Sequence, residues 1–563
     1  MSIGWNKDRW FNEVKDKLAK GYFNDEVTGQ TVINGRYIGK VPENGYDYII
    51  YGEDTNGDGV ADVIYAKNGK TGEIEFSGDN ASEVIQKVLN IEAYKKVIII
   101  ADNVMVISKR IDIVDNKKIE IVGTLKLANN VNDSMFALFG SNIEIFGGEL
   151  DGNGANQTFS PSSGIRSDGA NYTSGITNIY IHDMIIHDFR DQGLDLTEGT
   201  NIKIDNVTTY NNGRNGIYLG YNVRSWHVSN VTSYSNGWFT EGYGLMIGDG
   251  ANDGVVVNAI LHDNALYGLG SSANNVQFIN IFAYNNNDAG IRLSSSKNVI
   301  VKAITHNNGG HGLSIQDSVD GQYDNVKVQV ITYNNAVNGV DVGWTGASGY
   351  TYPSGIELDV VAYNNTNHGI RIEAKNVVVR GISAYNGYHG MVTYPNASNV
   401  QMLGVIVYNN DQSNGGRVGI YLGGDNTTII GAKVFDDQTT KTQDYGIYIG
   451  STASYIKVVD CDLRGNAIAS VGIDVGASNY EFVRCVGYTT ENSGSFTVTG
   501  DGSTTTFSFA HGLVAEPSVV LITPLDGAPW PDKISKDATN ITLEFNTAPA
   551  DGTSYVYSWH AEV

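Results

Sequence analysis

NNNDAGIRL (residues 285–293) and NNTNHGIRI (residues 364–372) share one plan: an asparagine pair, a short polar link, then Gly-apolar-x-apolar. The plan recurs at Gly164, Gly193, Gly216, Gly244, Gly268, Gly290, Gly312, Gly339, Gly369, Gly390, Gly419, Gly446 and Gly472, at spacings of 21 to 30 residues. Apolar and polar positions alternate after each glycine, which is the period of a strand with one buried face. Units of this length holding two or three short strands match single coils of a parallel β-helix. Leucine-rich repeats need a Leu-x-x-Leu-x-Leu frame, which is missing, and propeller blades need ~40–45 residues and antiparallel strands. The asparagine pairs, such as Asn211-Asn212, Asn307-Asn308 and Asn334-Asn335, suit turns with positive φ. In stacked coils they would form ladders bonded amide to amide.

Outside the repeat the chain reads differently. Residues 6–20 put Trp10, Phe11, Val14 and Leu18 on one face of a short amphipathic helix. Residues 28–78 read as small hairpins, and residues 80–90 as a second helix suited to lie across the open end of a β-helix. Beyond residue ~490 short alternating strands read as a β-sandwich. The expected organisation is therefore 1–79 helix plus small β region, 80–490 β-helix with its capping helix, and 491–563 β-sandwich.

Composition removes several functional classes. The chain has 563 residues, with 61 acidic against 37 basic side chains, for a net charge of −24. That balance argues against a nucleic-acid surface, but leaves room for a local basic groove. The 67 glycines against 9 prolines exclude collagen-like and proline-rich classes. No run of ~18 apolar residues is present, so no membrane insertion is expected. The first residues carry no apolar signal segment. The two cysteines, Cys461 and Cys485, lie 24 residues apart. That is about one repeat, so they would fall on adjacent coils, where both a disulfide and a reduced pair are open. Asp54, Asn56, Asp58 and Asp62 match the oxygen-bearing positions of a calcium loop, with Gly59 at the tight turn and Tyr65 where the bidentate glutamate would stand. A structural Ca²⁺ is the one cofactor expected, with no organic cofactor.

Counting from each glycine, side chains at +1 and +3 point inward, whereas those at +2 and +4 point outward and stack at ~4.8 Å. The +2 column runs Arg166, Asp195, Tyr218, Met246, Gly270, Arg292, Ser314, Asp341, Arg371, Val392 and Tyr421. The position before the glycine adds Tyr243, Tyr267, His311, His368 and His389. Polar groups interleaved with aromatics along one surface suit an extended sugar polymer. Arg166, Asp168, Asp195, Glu198 and Tyr218 are the candidate catalytic groups. Tyr243, Tyr267, Arg292, His311, Asp341, His368 and Arg371 are the candidate substrate-binding groups.

Over residues 143–480 the pattern resembles the right-handed parallel β-helix carbohydrate enzymes. Gly147 to Gly154 resembles the Gly-x-Ile-Asp-Gly-x-Gly segment of polygalacturonases, and Gly310-His311-Gly312 their Gly-His-Gly motif. Gln192 to Glu198 is similar to the catalytic coil of mannuronan C5-epimerases and alginate lyases. Asp195 and Glu198 match that coil, whereas Gln192 and Thr197 replace its tyrosine and histidine. Arg166 and Asp168 resemble the family's upstream cation and acid. The terminal regions resemble virus tailspike depolymerases. The resemblance implies a right-handed parallel β-helix that acts on a uronate-containing polysaccharide by proton abstraction at C5, as lyase or epimerase. Arg166 would neutralise the sugar carboxylate, and Tyr218, positioned by Asp195, would be acid or base. Two alternatives stand beside this reading. One is an inverting hydrolase using Asp168 and Asp195 at ~8 Å. The other is a non-catalytic tail or surface protein that binds glycan. Either way the partner is a polysaccharide, the protein a monomer or homotrimer, and its place extracellular or on a virion surface.

Overall fold

The computed structural model describes residues 45–563, apart from 94, 159–161, 168–174, 241, 317–323, 344–351 and 414. The helix expected over 6–20 and the start of the hairpin region lie outside the described residues. The chain winds into a right-handed parallel β-solenoid of about 15 turns. Each turn contributes short strands to three ladders. The first contains Ile165–Ser167, Leu245–Ile247, Ile291–Ser294, Val340–Gly343 and Ile370–Ile372, and begins at Ile111–Ile113. The other two run through Lys297–His306 and Lys375–Ala384, each of which bends and serves both.

The core explains the repeat. Residues at +1 and +3, such as Ile291 and Leu293 or Ile370 and Ile372, have no solvent exposure, whereas in the last coil, that of Gly472, Val475 at +3 is fully exposed. The recurring glycine is required by close approach to the next coil. A Cβ on Gly193 would lie 2.5 Å from the carbonyl oxygen of Gly216, and one on Gly216 2.0 Å from Ser233 Oγ. The first asparagine of each pair holds the left-handed turn, with φ of 52° at Asn211 and 55° at Asn307. The second points into the core and is buried.

These asparagines, with Asn236, Asn264 and Asn386 standing at the same position after Ser235, Asp263 and Tyr385, form one continuous ladder, Asn212–Asn236–Asn264–Asn286–Asn308–Asn335–Asn365–Asn386–Asn410. Each Nδ2 donates to the next Oδ1 at 2.9–3.1 Å. Each backbone N–H donates to that same oxygen, so a buried amide meets its partners through the repeat itself. On the third ladder, aromatic rings stack without a break from His187 through Tyr210, Tyr234, His262, Tyr284, His306 and Tyr333 to Tyr363. Their centroids are 4.6–5.1 Å apart and their planes within 1–12°.

At the N-terminal side, Tyr48–Glu53, Val63–Asn68 and Ile74–Gly78 pair antiparallel, and the first of them joins Lys95–Ile107 in parallel. The helix Ala81–Leu89 starts at the side-chain cap Asn80 and buries Val84, Ile85, Val88 and Leu89. It lies against Ile111–Ile113, whose strand partner is Phe136–Leu138. Gln86 Oε1 accepts the N–H of Asp112 and its Nε2 donates to the Asp112 carbonyl, so a side chain supplies bonds that a further strand would make. After the solenoid come two three-stranded antiparallel sheets, centred on Ser554–Glu562 and Asn540–Glu544. Val498, Ile522, Ile541, Leu543, Tyr557 and Trp559 from both sheets form one apolar cluster. Cys461 and Cys485 are buried free thiols on neighbouring coils. The adjoining Cys485 thiol, and then burial, push Cys461 well above the ordinary thiol range.

The amide ladder carries a stability prediction. Asn308→Ala removes Oδ1 from both donors of Asn286 and removes the Nδ2 bonds to Ala283 and Asn335. The expected cost is about 3 kcal/mol. Gln401→Ala, on an exposed strand position, should change stability by less than about 0.5 kcal/mol. Urea unfolding checks both, and equal midpoints for the two variants would contradict the role given to the ladder.

Candidate functional site

Backbone pairing sets the geometry of the site. In the first ladder Arg166 pairs with Asp195, Asp195 with Tyr218, Tyr218 with Met246, Met246 with Gly270, and Gly270 with Arg292. The column continues through Ser314, Asp341, Arg371, Val392 and Tyr421. Arg166, Asp195 and Tyr218 therefore stand on three successive rungs of one face.

That face is sunken. The alternation predicts outward side chains at +2, yet Asp195 is only 6% exposed and Ser314 1%. Gln192, Asn215, Tyr267, Asn338, His368 and His389, just before the glycines, are buried as well. Rungs this close leave little solvent between side chains, and large neighbours cover small ones. The Tyr243 ring lies over Gly270, where a Cβ would come within 2.6 Å of it.

The Arg166–Asp195–Tyr218 cluster combines burial with incomplete pairing. Arg166 Nε is 3.7 Å from Asp195 Oδ2, close enough to attract but beyond a hydrogen bond. The other oxygen of Asp195 is buried without a hydrogen-bond partner. Burial pushes the Asp195 carboxyl up to about 6, against the pull of Arg166; Asp191 adds to the rise and Arg214 opposes it. Arg214 Nη1 also lies 3.5 Å from Asp191 Oδ1. Burial raises the Tyr218 phenol too, helped by Tyr221 and Asp195. Gly220 and Gly248 leave room for that ring, since a Cβ on them would sit 2.7 Å and 3.1 Å from its hydroxyl oxygen. Glu198 stands past a register shift in the strand, paired with Asn222 rather than with a member of the cluster. Asp168 lies outside the described residues.

A second cluster sits further along the same column. Arg371 donates from Nη1 to Asp341 at 3.1 Å and from Nη2 to Glu373 at 2.5 Å, and stacks 4.5 Å from the Tyr394 ring centroid. Asn338 and Asn396 donate to the same two carboxylates. Two stacked histidines, His368 and His389, lie beside it with centroids 5.3 Å apart. Burial, then His389, Arg371 and Arg417, drives His368 down to about 3, and burial with Arg417 drives His389 down to about 4. Both are neutral at pH 7. His311 accepts the N–H of Asn338 at 3.4 Å. Between the clusters, Arg292 Nη1 donates to the Tyr267 hydroxyl at 2.8 Å, and the Tyr243 and Tyr267 rings are 5.1 Å apart.

Arg214 and Arg417, which set the fields on Asp195 and His389, are absent from the sequence-based set. Each stands two residues before a repeat glycine, and that spacing is the signal that marks them. In the Asp54–Asp62 loop, Asp54 accepts the N–H groups of Asn56, Gly57 and Gly59, Asn56 that of Asp58, and Asp58 that of Val60. Asp62 closes the loop by accepting from Thr55. The side chains offer oxygen donors only, the chemistry a hard cation takes.

Residues 220–346 match the family described as right handed beta helix region. Among solved structures, the Azotobacter vinelandii mannuronan C-5 epimerase AlgE6 A-module is similar at 16% identity, over 72% of this chain and 95% of that one, with a TM-score of 0.38. A double mutant of the tailspike protein of E. coli bacteriophage HK620, in complex with a pentasaccharide, is similar at 12% identity over 86% and 90%, with a TM-score of 0.38. The Dettilon tailspike protein is similar at 13% identity over 91% and 94%, with a TM-score of 0.36. No curated protein matches the sequence.

The raised carboxyl gives a pH-dependent stability prediction. A folded-state value above the unfolded one makes the Asp195 contribution complete below about pH 4 and lost as pH rises through about 6. Asp195→Asn should therefore be more stable than the parent at pH 8, by about 2–3 kcal/mol. Below pH 4 the difference should vanish. Paired melting curves at pH 4 and pH 8 measure it, and a variant less stable at pH 8 would contradict the burial penalty.

Proposed function

We propose that the protein processes a uronate-containing polysaccharide by removing the proton at C5, as a lyase, a C5-epimerase or both. The observation that carries this reading is the succession Arg166, Asp195, Tyr218 on adjacent rungs, with one oxygen of Asp195 buried and unpartnered. Arg166 binds the C6 carboxylate of the sugar, which makes the C5 proton acidic by stabilising the charge that develops. The carboxylate of Asp195, ionised above pH 6, takes that proton as general base. In elimination the C5–H electron pair forms the C4–C5 double bond, the C4–O4 bond breaks, and the Tyr218 hydroxyl protonates the departing O4. In epimerisation the same hydroxyl returns a proton to the opposite face of C5. A raised phenol stays protonated at neutral pH, which favours Tyr218 as the acid and leaves Asp195 as the base. The epimerase and tailspike proteins similar to this chain are consistent with a glycan ligand. The loop Asp54, Asn56, Asp58 and Asp62 is proposed to hold a structural calcium ion, clear of the reaction.

Arg166→Gln, Asp195→Asn and Tyr218→Phe should each lower turnover of a uronate polymer by about 100-fold or more. Mass and ultraviolet absorbance of the products provide the measurement. In the parent protein kcat/KM should rise with pH around a midpoint near 6. Saturated reducing ends would point to hydrolysis instead, and intact polymer retained by the protein to binding alone. For the loop, calcium at about 100-fold above its Kd should stabilise the protein by about 2.7 kcal/mol. That shift should be lost in Asp58→Ala, and an unchanged melting midpoint in the parent protein would reject the assignment.

A further inference from the structure

The arginines of the groove differ in what holds their charge. Arg371 has a carboxylate on each terminal nitrogen, and Arg166 faces Asp195. Arg292 has neither kind of partner. Its hydrogen bond goes to the neutral Tyr267 hydroxyl, and its guanidinium lies 5.1 Å from that ring centroid. Its Nε is buried without a partner, as is the hydroxyl of Ser314 on the next rung. No carboxylate among the described residues forms an ion pair with it. Arg292 is only partly exposed, its charge is left without a carboxylate among the described residues, and its planar fork fits a carboxylate better than any neutral group.

Position gives this cation a meaning. The register Asp195–Tyr218–Met246–Gly270–Arg292 spans four strand spacings, roughly 19 Å. A pyranose ring is about as long as one spacing, so a chain lying along the groove advances roughly one sugar per rung. We propose that Arg292, held by Tyr267, is a second anion subsite that takes the carboxylate of a sugar roughly four residues from the one at Asp195. The ligand is then a polyanion gripped by its repeating charge. The choice of Asp195 as the reacting rung rests on the reading above, whereas the anion site itself does not.

Calorimetric titration with tri- and octamannuronate, and with carboxyl-reduced octamer as the neutral control, tests the subsite. The parent should bind octamer more tightly than trimer. Arg292→Gln should weaken octamer binding about tenfold, remove most of the gain from trimer to octamer, and leave the neutral octamer unaffected. Arg292→Lys, which keeps the charge, should retain most of the affinity, and matching melting curves verify that the variants fold. Parent-like octamer binding by Arg292→Gln, an equal loss for the neutral octamer, or failure of the parent to bind octamannuronate would each overturn the subsite. Asp195→Asn separates the two readings. If it still turns over polymer while Arg292→Gln shows the length-dependent loss, the assignment of Asp195 fails and the subsite stands.

Discussion

Parallel, in-register backbone pairing between successive turns is the constraint on which everything else here depends. It fixes the distance between equivalent residues at about 4.8 Å and forbids sideways drift. Whatever the sequence repeats becomes a column. Inside, the repeated asparagine becomes a hydrogen-bonded ladder because its amide is both donor and acceptor at the pitch of the backbone. At the corner, the repeated glycine is the only residue that clears the carbonyl of the next coil. Outside, the +2 position becomes a groove whose chemistry is written one rung at a time.

The same spacing explains why the groove is chemically uneven. Side chains stacked this closely shield one another, so an ionisable group is stabilised only when its own or the adjacent rung supplies a partner. Asp341 and Glu373 receive one in Arg371 and form a closed network with Asn338 and Asn396. Asp195 receives Arg166 only at 3.7 Å, and desolvation outweighs that attraction. The first arrangement holds its charges fixed, while the second leaves a carboxyl poised to exchange a proton. Equal residue types on one column thus serve different ends, and the distance to the next charge decides which.

The ladders and their register were legible in the sequence because both are periodic. Counting from Gly193 and Gly216 is enough to pair Asp195 with Tyr218, and counting the asparagine pairs foretells the ladder through Asn308. Depth was not legible. Alternation marks Asp195 and Ser314 as outward, but it contains nothing about whether Tyr243 or a neighbouring rung covers them. The stack of rings from His187 to Tyr363 went unread for a related reason: Tyr284, His306 and Tyr333 precede the asparagine pairs at constant spacing, but tyrosine and histidine must be grouped as flat rings before the column emerges. The roles of Arg214 and Arg417 depend on fields crossing from turn to strand, which no single repeat displays.

A rigid column has a consequence for recognition that a loop-built site lacks. Loops adjust to a ligand, but a rung cannot shift without breaking the backbone bonds on both sides and the amide ladder behind it. The spacing between Arg166 and Arg292 is therefore a fixed length, set by five strand pairings rather than by side-chain choice. A polymer whose charges recur near that pitch meets both groups without distorting the protein, and the cost of ordering falls on the ligand. A polymer of similar chemistry but different charge spacing would satisfy one group and leave the other desolvated and unpaired. Selectivity of this kind comes from the fold, because the pairing that makes the core continuous also sets the distance between the two subsites.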